Sequence, residues 1–201
     1  MRFLRPSAVL KLLCPDGLFR LDTGEKKLVL TFDDGPDPVS TNPLCRILDN
    51  RHVKAVFFCS GNKAEKFPEL VSLLRSKGHI VGNHGYEHLN GFKASHKRYL
   101  ENVLKASALT SGTYFRPPYG LLKPSQYRSL INQYRIIFWD LMPYDFDRRI
   151  SGNRCLEILK KMIRPGSVIV LHDTEGSSVL EFIDDFIDYA IDSGYSFVTD
   201  F

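Results

Sequence analysis

The sequence predicts an α/β fold built from parallel βα units. Short apolar runs rich in Val, Ile and Phe alternate with segments whose apolar residues follow the 3.6-residue period of an amphipathic helix. Runs that are apolar on both faces are typical of strands buried between two layers, as in parallel sheets. The length of 201 residues suits one domain with a substantial core. The seven predicted strands are Leu28–Phe32, Ala55–Cys59, His79–Asn83, Thr113–Arg116, Arg135–Asp140, Ser167–His172 and Tyr195–Thr199.

Two helices are well defined by the sequence. Residues 67–78 carry apolar side chains at helical spacing, with Pro68 near the start and Gly78 as a stop signal. Residues 177–194 place apolar side chains on one face and aspartates mainly elsewhere, so we interpret the aspartates as a solvated face. Periodicity leaves an open doubly wound sheet and a barrel as alternatives. Both would bind ligands at the carboxyl ends of the strands.

Charge and cysteine content argue against several classes of protein. The chain has 27 Lys and Arg against 23 Asp and Glu, a net charge of +4, and no long basic run, so no nucleic acid partner is expected. No segment approaches the roughly 20 apolar residues of a transmembrane helix. The scattered cysteines lack a Cys-x-x-Cys pair and are predicted to be reduced, buried thiols. They are Cys14, Cys45, Cys59 and Cys155.

The N-terminus has only the outline of a secretory signal. In MRFLRPSAVLKLLCPDG, basic residues precede a short apolar run, but Lys11 interrupts the run, Pro6 precedes it and no Ala-x-Ala-like site follows. We therefore expect a cytoplasmic protein, with an envelope-associated or secreted protein as the alternative.

Polar residues follow the carboxyl ends of several predicted strands. In LTFDDGPDP, Asp33 and Asp34 come directly after the first strand. Later strands run into NHGYEH, RPPYG, WDLMPYDFD and VIVLHD. Because the carboxyl ends of parallel strands share one rim, these groups are expected to converge on one site. A turn alone would explain Gly35 and Pro36, but not the matching residues on the other strands.

His84 and His88 suggest a metal site. Their spacing of four lets both imidazoles reach one centre, and a carboxylate from another strand end would complete a His, His, Asp set. Such a set leaves coordination positions open, as a catalytic metal requires. Adjacent aspartates at a strand end point in different directions, so one can bind the cation while the other accepts a proton from water. Unrelated surface or buried histidines are the alternative.

The same stretches resemble the motifs of a known family, the polysaccharide deacetylases, also called NodB-homology or carbohydrate esterase family 4 enzymes. The resemblance implies a single NodB-like domain over residues 1–201, a distorted (β/α)7 barrel with residues 1–26 as an extension packed on it. It also implies metal-dependent removal of acetyl groups from amino sugars. We expect the protein to be a monomer. The five motifs are TFDDGP, HGYEH, RPPYG, WDLMPYDF and VIVLH.

The resemblance assigns the metal centre and the base. Asp33 resembles the catalytic base of the family, and Arg116 the residue that orients it. Asp34, His84 and His88 resemble the ligands of a divalent ion, zinc above all, with cobalt, nickel or manganese as alternatives.

Further roles follow from the same resemblance. His172 would be the general acid and Asp145 its partner. The backbone N–H of Tyr119 would help to stabilise the oxyanion. Phe146 and Leu171 would line a pocket for the acetyl methyl group.

The sequence departs from the family pattern at three positions. Gly85 stands where Ser or Thr usually braces the second motif, which predicts weaker metal binding. Phe146 replaces a usual Trp, and Met142 replaces an additional Asp. Members of the family act on N-acetylglucosamine units of peptidoglycan, chitin or other polysaccharides, and some remove O-acetyl groups. Hydrolysis of another amide, or a non-catalytic carbohydrate-binding domain, are the alternatives.

Overall fold

Strands and helices alternate along the chain, as the apolar runs predicted. The computed structural model describes residues 4–110 and 112–200. In this part of the chain, all seven predicted strands are confirmed, although β4, β5 and β7 are shorter than predicted. The strands are β1 (Lys27–Asp33), β2 (Val56–Cys59), β3 (Ile80–Asn83), β4 (Tyr114–Phe115), β5 (Arg135–Ile136), β6 (Val168–His172) and β7 (Ser196–Phe197).

Eight α-helices are formed by the described residues. Short 3₁₀ turns at Pro118–Gly120 and Val179–Glu181 accompany them. The helices are α1 (Ala8–Leu13), α2 (Thr41–Asn50), α3 (Gly61–Lys66), α4 (Pro68–Ser76), α5 (His96–Thr110), α6 (Pro124–Leu130), α7 (Gly152–Met162) and α8 (Ile183–Asp192).

The sheet is parallel and curled into a distorted barrel. Its order is β5-β4-β3-β2-β1-β6, and β7 pairs with β1 at Lys27 and Leu28. The segment after β5 returns to β6 through a single parallel bridge between Leu141 and Ile169. This bridge stands in place of a continuous ladder, and it forms a seam in the barrel wall.

Side chains of β1 alternate between the two faces of the sheet. Leu28, Leu30 and Phe32 pack outward in the core beneath the helices, whereas Val29 packs in the interior cluster. Because side chains in a strand point alternately to opposite faces, Thr31 and Asp33 share the interior face with Val29. The second half of β1 therefore carries polar groups into the barrel.

The predicted helix over residues 177–194 is interrupted. The 3₁₀ turn at Val179–Glu181 ends at Phe182, whose φ of −140° breaks the helical path, and α8 begins at the next residue. The apolar face is nevertheless buried as predicted. Asp184 and Asp188 lie on the surface and form ion pairs with Arg51.

The chain before β1 packs along the seam of the barrel. The Met142 N–H donates to Leu4 O at 3.0 Å, and Phe19 stacks on Phe138 with ring centroids 4.5 Å apart. Arg5 donates to the backbone oxygen of Asp140 at 3.2 Å and also forms an ion pair with its carboxylate. These contacts concern residues 4–19, and the division of the chain at residue 26 stays a prediction.

Two further predictions concern membranes and cysteines. Among the helices of residues 4–110 and 112–200, none combines the length and apolarity needed to cross a bilayer. The four cysteines are buried free thiols, as predicted. Burial raises the pKa of Cys14, Cys45 and Cys155 to about 11, so these thiols stay protonated at neutral pH.

We expect Asp140→Ala to lower the free energy of unfolding by about 2–4 kcal/mol. Asp140 is 1% exposed, pairs with Arg5 and Arg164, and accepts a hydrogen bond from the Ser167 hydroxyl at 2.7 Å. Its removal leaves these donors without their shared acceptor. Urea denaturation checks the change, with Asp192→Ala at the exposed end of α8 as the control; equal stability of the two variants would contradict the role of Asp140.

Candidate active site

The predicted rim residues meet at one cavity of about 620 Å³. The parallel register pairs Asp33 at the end of β1 with His172 at the end of β6. Arg116 directly follows β4, and its N–H bonds to the last residue of β3, Asn83. The carboxyl ends of four strands, β1, β3, β4 and β6, thus bring polar side chains to the same opening.

Asp33 and Arg116 form a buried ion pair. Arg116 Nη1 lies 2.7 Å from Asp33 Oδ1 and 2.6 Å from Thr31 Oγ1. The remaining guanidinium donors bond to the backbone oxygens of Ile137 and Phe138, at 3.2 and 2.8 Å. Arg116 is only 2% exposed. A charge buried to this extent is tolerated because every nitrogen has a partner, and the pair fixes Asp33 in one orientation.

Asp34, His84 and His88 form the predicted ligand cluster. One oxygen of Asp34 lies 3.4 Å from His84 Nε2 and 3.3 Å from His88 Nε2. The three ligand atoms all lie within 4.8 Å of one another. Asp34 has a φ of +69°, a left-handed conformation that Asp tolerates. Two imidazoles and one carboxylate suit zinc and similar divalent ions, and the geometry fits the predicted site.

Hydrogen bonds orient the cluster toward a cation. His84 Nδ1 lies 2.8 Å from the backbone oxygen of Arg116, which can only accept, so Nδ1 carries a proton. Burial would lower the pKa of His84, but the charge of Asp33 and the hydrogen bond and charge of Asp34 raise it, so a cation that binds Nε2 displaces a proton shared with Asp34. Burial alone would raise the pKa of Asp34. The hydrogen bond and charge of His84, together with the charges of the other cavity histidines, hold that pKa well below its usual range.

Asn102 braces the loop that carries both histidines, a role that the sequence did not reveal. Gly85 has a φ of +77°, and a Cβ there would lie 2.7 Å from Asn102 Nδ2. The Asn102 amide accepts from the Glu87 N–H at 2.8 Å and donates to the Glu87 oxygen at 3.0 Å. The side chain from α5 therefore supports the loop where the family's Ser or Thr is missing. The weaker metal binding expected from Gly85 stays a prediction.

His172 and Asp145 form a second buried pair. His172 Nδ1 lies 2.9 Å from Asp145 Oδ1, and the His172 N–H donates to Oδ2 at 2.8 Å. Ser177 also donates to this carboxylate, at 2.6 Å. Burial would lower the pKa of His172, but the charge and hydrogen bond of Asp145, with the charges of Asp33 and Asp34, raise it to about 9. The imidazole is therefore protonated at neutral pH.

The other predicted site residues divide into two groups. Tyr119, with a φ of +60°, and Phe146 line the cavity, and their rings lie 4.4 and 4.5 Å from those of His88 and His172. Leu171 is fully buried in the outer core and does not line the cavity. Side chains alternate along β6, so Val170, two residues before His172, occupies the cavity wall instead.

Asp173 supports the first motif from behind. Its N–H donates to the backbone oxygen of Asp33 at 2.8 Å. Its buried carboxylate accepts hydrogen bonds from the hydroxyls of Ser40 and Thr41, both at 2.6 Å. A Cβ at Gly35 would lie 2.4 Å from this carboxylate. The loop after β1 is therefore packed against Asp173, directly next to the predicted acid. The sequence analysis did not single out Asp173, although its position directly after His172 could have indicated a role at the site.

A curled parallel barrel whose rim joins a candidate metal cluster to a buried carboxylate and a protonated histidine is typical of hydrolases of the NodB-like type. A family model described as polysaccharide deacetylase matches residues 20–136. This match covers more than half of the 201 residues, and the chain belongs to the polysaccharide deacetylase family. The predicted family, the hydrolase class and the NodB-like fold are thereby confirmed.

Named relatives agree with this assignment. A peptidoglycan-N-acetylglucosamine deacetylase of Bacillus cereus is 32% identical over 86% of this chain and 66% of its own length. A chitooligosaccharide deacetylase of Azorhizobium caulinodans is 31% identical, with 77% of both chains covered. The crystal structure of a peptidoglycan N-acetylglucosamine deacetylase superposes with a TM-score of 0.86 at 30% identity, covering 92% of this chain and 90% of that one.

Asn102→Ala is expected to weaken zinc binding about tenfold, because outer support orients metal ligands. Competition with a chelating dye measures the dissociation constant, and thermal melting verifies the fold. Asn132→Ala, at an exposed asparagine beyond α6, is the matched control. An unchanged zinc affinity in Asn102→Ala would contradict the bracing role.

Asp145→Asn is expected to lower the pKa of His172 from about 9 by roughly one unit or more, because the opposite charge is lost. NMR titration of the His172 imidazole checks this, with Asp192→Asn as the control.

A pKa raised by folding also has a consequence for stability. The contribution of His172 is fully present below the ordinary imidazole pKa of about 6.5 and disappears as the pH rises through 9. If the His172 imidazole has the same pKa in Asp145→Asn and Asp192→Asn, Asp145 is not the cause of the raised pKa.

Proposed function

We propose that the protein is a deacetylase that hydrolyses the N-acetyl amide of amino sugars, in N-acetylglucosamine-containing poly- or oligosaccharides. One observation carries this proposal: the Asp34, His84 and His88 cluster opens into the same cavity as Asp33 and His172. An amide is a poor electrophile with a poor leaving group, so its hydrolysis needs an activated water and a proton for the amine. The amino sugar is proposed from the names of the relatives, which are deacetylases of peptidoglycan N-acetylglucosamine and of chitooligosaccharides.

The ligand cluster would hold a divalent ion, which we propose to be zinc, with cobalt, nickel or manganese as substitutes. Asp34, His84 and His88 provide one ligand atom each and leave room for a substrate oxygen and a water. When bound, such an ion supplies a Lewis acid that polarises the carbonyl and lowers the pKa of water.

Asp33 is proposed as the general base. Its Oδ1 is held by Arg116, while Oδ2 lies 3.9 Å from His84 Nε2, beside the ligand cluster. A water molecule attacking from the cluster can therefore pass its proton to Oδ2. Arg116 holds the carboxylate in one orientation, which makes it a positioning residue.

His172 is proposed as the general acid. Its Nδ1 is bonded to Asp145, so the second ring nitrogen is left to deliver a proton to the departing amine. The raised pKa keeps that proton available at neutral pH. The Tyr119 backbone N–H, in the left-handed turn at the cavity wall, would donate to the oxyanion, and Phe146 would cover the acetyl group.

The catalytic set also bears on the non-catalytic alternative. A binding domain would have no need of a buried base fixed by Arg116 or of a histidine charged by Asp145. The complete set therefore supports an active enzyme. A cytoplasmic location and a monomeric state stay predictions from the sequence.

Asp33→Asn is expected to retain zinc and to lower kcat at least about 100-fold, because an amide cannot accept the proton. The experiment measures acetate release from an N-acetylated chitotriose and, on the same sample, metal content by mass spectrometry. Asp192→Asn is the control.

Removal of the metal by a chelator should abolish acetate release in the unmodified protein, and zinc or cobalt should restore it. Substantial turnover by Asp33→Asn would remove Asp33 from the role of base. A folded protein that binds zinc but releases no acetate would contradict the proposed substrate.

A further inference from the structure

The cavity extends below the catalytic groups into the barrel. Val170 precedes His172 by two residues on the same face of β6, which places it about 7 Å deeper at 3.3 Å per residue. The bridge between Leu141 and Ile169 brings the segment after β5 to the same depth, and Trp139 and Met142 of that segment line the cavity. The cavity therefore continues from the catalytic groups toward the seam.

The N-terminal segment borders this lower part at the seam. Pro6 and Leu10 line the cavity, and the segment is held there by the bond between Leu4 O and the Met142 N–H. Arg5 and Ser7 also line it, and each makes hydrogen bonds within the protein. Arg5 bonds to Asp140 and Met162 O, and Ser7 Oγ accepts from the Leu10 N–H.

The lower wall is mainly apolar and offers few partners for sugar hydroxyls, although the buried indole N–H of Trp139 has no hydrogen-bond partner among the described residues. Sugar recognition requires polar groups that pair with each buried hydroxyl. The wall instead presents the side chains of Pro6, Leu10, Trp139, Met142 and Val170, which we call the acyl pocket. An acetyl methyl group is about as large as a water molecule, which occupies about 30 Å³ in the liquid. The whole cavity has a volume of about 620 Å³.

We infer that the acyl pocket accepts N-acyl groups longer than acetyl, and that the N-terminal segment sets the length it accepts. This inference rests on the proposed function. With the carbonyl at the ligand cluster and the sugar in the open mouth, the acyl chain is the part of the substrate that points inward. Each methylene buried there favours binding by about fourfold.

The reaction is the same hydrolysis for every chain length. The water oxygen forms a bond to the acyl carbon, and the carbon–nitrogen bond breaks. Asp33 receives one proton of the water, and His172 supplies a proton to the nitrogen. The products are the free amino sugar and a carboxylate whose length equals that of the acyl group.

The test uses one glucosamine trimer carrying N-acetyl, N-propionyl, N-butyryl or N-hexanoyl groups and the zinc-loaded full chain. The released amine is measured, because this readout is identical for the four substrates. We expect kcat/KM for the butyryl substrate to equal or exceed that for the acetyl substrate. A decrease of tenfold or more from acetyl to butyryl would overturn the inference while leaving the proposed deacetylase intact. Release of amine from none of the four would instead contradict the proposed function, and the inference with it.

Leu10→Trp tests the N-terminal wall, because the larger side chain fills the acyl pocket. The ratio of kcat/KM for hexanoyl to that for acetyl should fall at least tenfold. Leu12→Trp is the matched control on the same helix, where the side chain is 81% exposed, and it should leave the ratio unchanged. Val170→Leu narrows the pocket from the opposite wall and replaces Leu10→Trp if that variant does not fold. An unchanged ratio in the folded pocket variant would overturn the inference.

Discussion

The site depends on the burial of one arginine. The guanidinium of Arg116 binds the carboxylate of Asp33 and the backbone oxygens of Ile137 and Phe138. The backbone oxygen of the same residue fixes the tautomer of His84. A single residue after β4 thus orients both the proposed base and a proposed ligand. The orientation is rigid because a buried charge is tolerated only when all its donors are paired.

Much of this arrangement could be predicted from the sequence. The apolar runs located the seven strands, and residues directly after strands, such as Asp33, Asp34 and His84, had to lie on one rim. The sequence also allowed the cavity wall on β6 to be predicted, because side chains alternate along a strand and a residue two positions before His172 faces the same way. Applied there, it would have indicated Val170 as the wall residue in place of Leu171.

Other parts of the site had no local signal. Asn102 lies in the middle of α5, and the helical spacing of the sequence indicates only that this position is buried. Its hydrogen bonds to the Glu87 backbone depend on how α5 packs against the loop. The interruption at Phe182 likewise falls within an unbroken helical pattern. The position of Pro6 and Leu10 depends on the seam beside Leu141, and a seam is a property of the closed sheet that no short stretch of sequence encodes.

The seam separates two kinds of change that evolution can make to this barrel. The catalytic groups lie on strand ends joined by continuous ladders, where a substitution disturbs several neighbours at once. Leu4 and Arg5 fasten the preceding segment to this edge, which has a single bridge to β6, whereas no residue of α1 is buried. Substitutions in α1 therefore change one border of the cavity, while the proposed ligands, base and acid are all carried by other parts of the chain.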